Sequence, residues 1–307
     1  MDTQSLTEGL RSLVPSGLEW KFALYTVTKK RGEASLEWYS CDMADIAGWV
    51  GTVRDALLNK PVAEKPVAPY SPFLSDRENI AVLAASDELI CQQLTRICGD
   101  IRNAPRRAAE YLASGGAPKP TGYVFYSDGE SMKPVLLLRR VSPFLKGPSR
   151  LCVAAGDGVR VTDKPIIRLA PAVDFLLLDG ACYFFSSGVE KDFEFENRHF
   201  AIASKRLALI ADAGVISNIE ALERVAFTPK NARKFVDFDK QVLEHIARLP
   251  ITEREDFLVT YGVMIDHDGR MDTSDSEQCE LIIDLLCSRS CLDPLGRLAV
   301  GSNITIR

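Results

Sequence analysis

Val173-Asp174-Phe175-Leu176-Leu177-Leu178-Asp179-Gly180-Ala181-Cys182-Tyr183-Phe184-Phe185 sets two short apolar runs on either side of an Asp-Gly pair. Asp-Gly tolerates the positive φ that a two-residue hairpin turn requires, so the stretch predicts antiparallel strands at Val173–Leu178 and Ala181–Phe185. Upstream, strand-like segments stand at Gly122–Tyr126, Pro134–Val141, Arg150–Ala154 and Ile166–Leu169, with turns at Asp128-Gly129 and Gly156-Asp157-Gly158. Six closely spaced strands predict an antiparallel or mixed sheet.

Downstream of Val189 the apolar spacing changes to the helical period. It predicts helices near His199–Ala213, Asn218–Ala226, Asn231–Leu249, Thr252–Tyr261 and Asp275–Ser288, with Leu298–Arg307 adding a closing strand. The N-terminal part reads as a helix at Thr3–Leu13, then strands Glu19–Thr28 and Ser35–Cys41 joined by Lys30-Arg31-Gly32-Glu33. Asp42 caps a predicted helix to Asn59, whose Ile46, Trp49, Val50, Val53, Leu57 and Leu58 share a stripe. Four prolines between Lys60 and Pro72 predict an extended connector and a domain edge. Ser86 and Asp87 open a helix whose apolar stripe, Leu89 to Ile101, leads down to a break at Pro105, and a shorter one, Arg106–Ala113, stops at Gly115-Gly116. Strands and helices are thus segregated, which is the α+β pattern. The expected organisation is an N-terminal α/β region at 1–116 with its helix and hairpin. A domain at 117–307 comes after it, with a mostly antiparallel or mixed sheet packed with C-terminal helices.

The 307 residues are 46% hydrophobic and 26% charged, enough to bury one large core or two ordinary ones. No apolar run approaches the roughly 18 residues that cross a bilayer. Met1–Glu8 lacks the basic segment and apolar block of a secretion signal, so a cytoplasmic location is expected. Eight cysteines in mostly apolar surroundings suit reduced, buried thiols.

Catalytic and cofactor motifs are missing. Cys287 and Cys291 are predicted on one helix end without a companion CxxC pair, and His199, His245 and His267 stand far apart, so no metal or cofactor is expected. Asp266, Asp268 and Asp272 around Gly269 lack calcium-loop spacing and predict a tight turn. A metal-dependent nuclease remains the catalytic alternative, drawing on Asp174, Asp179, Glu190 and Lys191.

Charge is the stronger signal. The net charge of −5 hides a basic stretch, Arg102–Arg150, with nine bases against three acids, and an acidic one, Pro250–Arg289, with ten acids against three arginines. Arg139-Arg140 follows four apolar residues, so at least one of the two should emerge on the sheet's outer face or at its end, with Lys146 and Arg150 flanking the next loop. Lys230, Arg233 and Lys234 have the spacing of one exposed helix face. These seven residues suit phosphate contact; the alternative is ordinary solvated bases pairing with acids elsewhere.

The strand pair at 173–185, then Val189-Glu190-Lys191-Asp192-Phe193-Glu194-Phe195, an alanine-rich helix, Val215–Leu222 and a helix opening Asn231-Ala232-Arg233-Lys234-Phe235, resembles the KwaB family of the Kiwa anti-phage defence system. The resemblance is clearest from about Gly122 onward. It implies a homodimeric cytoplasmic protein, peripheral to the inner membrane through the membrane protein KwaA, that binds double-stranded DNA without cutting it and obstructs phage replication and expression. The alternative within this picture is an adaptor that docks to the membrane partner without touching DNA. No family motif transfers residue by residue to the seven basic positions.

Overall fold

The computed structural model describes residues 1–30, 33–105, 120–128, 133–140, 151–155, 158–162, 169–288, 290–292 and 298–300. The chain divides into two compact units, Met1–Tyr70 with Ser75–Glu194, and Ser71–Leu74 with Phe195–Arg307.

The first unit is built on an eight-stranded sheet. Its strands are β1 (Lys21–Lys30), β2 (Glu33–Cys41), β3 (Val67–Pro69), β4 (Ile80–Ala84), β5 (Gly122–Ser127), β6 (Val135–Arg140), β9 (Phe175–Leu178) and β10 (Ala181–Phe184), in the spatial order β2-β1-β5-β6-β9-β10-β4-β3. Every junction is antiparallel except β3 with β4, so the sheet is mixed and the class is α+β, as expected. The β9–β10 hairpin turns through Asp179 at φ 53° and Gly180 at φ 78°, the left-handed pair that Asp-Gly supplies cheaply. Because β1 pairs with β5, strands from both sides of residue 116 share one sheet.

The central strands are buried along their length, so the sheet is covered on both faces. On one face Phe22, Phe125, Leu137 and Leu176 pack against Leu6 and Leu10 of helix α1 (Thr3–Ser12) and Val50, Val53 and Leu57 of helix α2 (Ile46–Asn59). The cap of α2 is Asp45, not Asp42: the Asp45 carboxylate accepts from the Gly48 amide at 3.3 Å, so the helix starts one turn later than its apolar stripe suggested. The proline-rich connector also carries structure. It forms a short helix, α3 (Pro61–Glu64), and then β3, where Pro69 is tolerated on an edge strand. The predicted helix after Ser86-Asp87 is α4 (Cys91–Arg102). Strands β7 (Leu151–Ala155) and β8 (Gly158–Thr162) form their own two-stranded ladder. The expected helix at Arg106–Ala113, its Gly115-Gly116 stop and most of the strand expected at Ile166–Leu169 lie outside the described residues.

The second unit is mainly helical: α5 (Phe195–Ala213), α6 (Ile219–Ala226), α7 (Pro229–Ala232), α8 (Lys240–Arg248), α9 (Ile251–Thr260) and α10 (Ser276–Leu286). A short antiparallel pair, β11 (Ser290–Leu292) with β12 (Leu298–Val300), accounts for part of the expected closing strand. The single helix predicted over Asn231–Leu249 is broken. A 3-10 turn runs from Arg233 to Asp237. Asp239 then caps α8 through the Gln241 amide at 2.8 Å, while its own amide is drawn to the Leu286 carbonyl. Cys287 closes α10 and Cys291 belongs to β11, so the two do not share a helix. No helix among the described residues is long and apolar enough to cross a membrane.

Candidate nucleic-acid interface

Strand β6 carries four buried apolar residues, Val135–Leu138, before its first charges, Arg139 and Arg140. Side chains alternate along a strand, so these two arginines leave on opposite faces of the sheet. Asp174, just before β9, holds both. Its amide donates to the Leu138 carbonyl at 2.8 Å. One carboxylate oxygen accepts from Arg139 Nη1 at 2.7 Å and the other from the Arg140 backbone amide at 2.6 Å. The carboxylate thus continues the ladder where β9 lets go of β6.

On the Arg140 face, the registers place Tyr25, Gly122 and Arg140 in one row across β1, β5 and β6. The missing side chain at Gly122 leaves room for the Tyr25 ring; a Cβ there would stand 2.5 Å from Tyr25 Cε1. Tyr25 therefore crosses its neighbour strand, and its hydroxyl donates to Asp192 Oδ2 at 2.8 Å. The same oxygen lies 3.3 Å from Arg140 Nε. Asp192 follows a 3-10 turn, Ser187–Lys191, and is almost wholly buried.

Two arginines and two aspartates make this cluster neutral overall. Burial raises the pKa of Asp174, opposed by the Arg139 charge, and burial likewise raises Asp192, opposed by the Tyr25 hydroxyl and Arg140. Tyr25 is pushed well above the phenol range, by burial first and by the Asp192 charge second. The Arg139 side chain is 29% exposed and that of Arg140 38%. Among the described residues, Arg140 Nη1 and Nη2 have no hydrogen-bond partner.

The other basic positions divide differently. Lys146 and Arg150 lie outside the described residues. Lys230, Arg233 and Lys234 do not share an exposed face, because α7 ends at Ala232 and the tighter 3-10 turn redirects the chain beyond it. Lys230 is exposed and pairs with Glu280 at 3.0 Å. Lys234 is buried and pairs with Asp284 at 2.7 Å. Lysines four apart thus meet carboxylates four apart on α10. Arg233 stacks over the Phe73 ring, 4.9 Å to its centre, and donates to the Pro72 carbonyl.

The nuclease set is not brought together. Asp174 and Asp179 flank opposite ends of β9, about 16 Å apart at strand rise, and Asp174 is already committed to Arg139 and the Arg140 amide. Asp266, His267 and Asp268 approach one another at the surface, in the expected tight turn, with Gly269 at φ 75°. Arg270 bridges the two carboxylates, 3.1 Å from Asp266 and 2.6 Å from Asp268. Tyr25 and Asp192 were not singled out from the sequence. Asp192 left a faint signal, an acid beside Phe193 in an otherwise structural stretch, whereas the reach of Tyr25 depends on strand register.

A family model described as Kiwa protein KwaB-like matches residues 142–291, just under half of the chain. The chain is KwaB-like over this span, which contains Asp174 and Asp192 and begins just after Arg140. A search of curated proteins and a search of solved structures each returned no significant match.

Proposed function

We propose that this KwaB-like chain is the DNA-binding effector of a Kiwa-type anti-phage defence system, holding double-stranded DNA without cutting it and acting with the membrane protein KwaA to block phage replication and expression. The KwaB-like match supports the place in a defence system. What supports phosphate contact is Arg140: its amide and Nε are tied to buried carboxylates, while its two Nη groups have no partner among the described residues. A guanidinium fork presented in this way matches a phosphate, and such contact carries affinity without reading bases. Lys230, exposed on the second unit although paired with Glu280, is offered as a further phosphate contact, as are Arg139, Lys146 and Arg150 from their charge in the sequence.

The acidic stretch has a separate role in this proposal. Glu253, Glu255 and Asp256 are spread along α9, where Glu253, Glu255 and its neighbours reach solvent. Cytoplasmic loops of membrane proteins carry an excess of lysine and arginine, so this helix is suited to the membrane partner, with self-association of the chain as a dimer completing the assembly. An adaptor without DNA contact is favoured by one observation, that Arg233 and Lys234 are consumed by internal partners.

Gel-shift of purified chain with double-stranded DNA over a salt series, with and without magnesium, tests the proposal. Retarded, intact DNA whose binding weakens steeply with salt is expected. Binding absent at low salt favours the adaptor, and magnesium-dependent degradation restores the nuclease.

A further inference from the structure

Arg140 is fixed at two points, by Asp174 at its amide and by Asp192 at Nε. The second point depends on a third residue. Asp192 Oδ2 serves both the Tyr25 hydroxyl and Arg140 Nε, and at 3% exposure it has almost no access to water as a substitute. The phenol therefore helps decide where that oxygen sits and which direction remains for the guanidinium. Tyr25 has little freedom of its own: it is fully buried, packs 5.0 Å from the Trp38 ring and fills the space left by Gly122. With Nε turned inward, the Nη1–Nη2 edge is the outer end of the side chain. Gly188 flanks it, where even a Cβ would stand only 3.6 Å from Nη1.

We propose that Tyr25, acting through Asp192, is a positioning residue for Arg140, so that the Nη1–Nη2 edge meets one DNA phosphate end-on. This rests on the DNA-binding function proposed above and adds the device that turns a strand-end arginine into a directed contact. A guanidinium held in place loses less freedom on binding than a flexible ammonium, which is why the geometry demands arginine rather than any base.

The test combines duplex affinity with arginine NMR on four full-length proteins: wild type, Tyr25→Phe, Arg140→Lys and the double variant. Tyr25→Phe deletes one oxygen and keeps the ring. It is expected to weaken binding of a short labelled duplex about three- to tenfold, the range of an ordinary net hydrogen bond, because the lost bond acts on affinity only through Asp192. Its Arg140 Nε–Hε signal should exchange with water faster than in wild type. Arg140→Lys keeps the charge but has no Nε, so adding Tyr25→Phe to it should change affinity no further. Equal affinities for wild type and Tyr25→Phe, or the same loss in the Arg140→Lys background, overturn the positioning role. A wild type that binds no duplex at low salt defeats the DNA-binding function instead. The Nε–Hε exchange rates then still decide whether Tyr25 fixes Arg140, unchanged rates refuting it.

Discussion

Lys234 and Asp284 form the most buried ion pair among the described residues, at 6% and 8% exposure. Truncation to Lys234→Ala leaves the carboxylate alone in the core and should cost about 3–5 kcal/mol in chemical denaturation. Replacing both residues together, Lys234→Met with Asp284→Leu, should recover most of that loss. Helical spacing alone makes Lys234 a surface base, because its partner is fifty positions away and its direction is set by a 3-10 turn. His199 makes a pH prediction. Burial, then the Arg233 charge, lowers its pKa to about 4, whereas an unfolded imidazole titrates near 6.5. Between those values the unfolded chain binds a proton that the folded chain refuses, so the stability present above pH 6.5 is lost as pH falls toward 4. His199→Gln should therefore narrow the difference between denaturation midpoints at pH 7 and pH 4.5. Asp174 and Asp192 act in the opposite sense: their raised pKa values cost stability above the titration, and acid relieves that cost.

The β9–β10 hairpin was legible because its information is local. Asp179-Gly180 specifies the turn and the flanking runs specify the strands. Gly180→Val should cost about 1–2 kcal/mol in a thermal or denaturant melt, since a branched side chain resists φ 78°; an unchanged melt would mean that the turn relaxes. Elements whose causes lie elsewhere were harder to read. The helix broken before Asp239 keeps its apolar spacing across the break, and its interruption comes from a carboxylate cap and a hydrogen bond to Leu286. Strand β3 hides in a proline-rich stretch because only its parallel pairing with β4 makes it a strand. Gly122 joins this scale to the site. Gly122→Ala would force a methyl into the Tyr25 ring and the Arg139 carbonyl. It should therefore lower both the melting temperature and the DNA affinity, whereas a loss of stability with unchanged affinity would separate the row from the contact.

At the scale of the whole molecule, the element order from Val173 to Ala247 was enough to read the KwaB family, and the family match covers that stretch. Charge was legible only as totals. The basic and acidic stretches are real features of the sequence, but which bases face outward was set by partners that no spacing rule reveals: Asp174 and Asp192 beneath the β6 arginines, Glu280 and Asp284 beneath the lysines. A chain of net charge −5 is repelled by DNA at long range, so the proposed affinity is concentrated in local basic contacts and falls with salt in proportion to the phosphates they meet. The most direct measurement is the slope of log affinity against log salt for double-stranded DNA, compared between wild type and Arg140→Glu. A negative slope in the wild type that becomes shallower by about one or two phosphate contacts in the variant is predicted. Identical slopes would contradict Arg140 as the contact, and no measurable binding at low salt would contradict DNA as the partner.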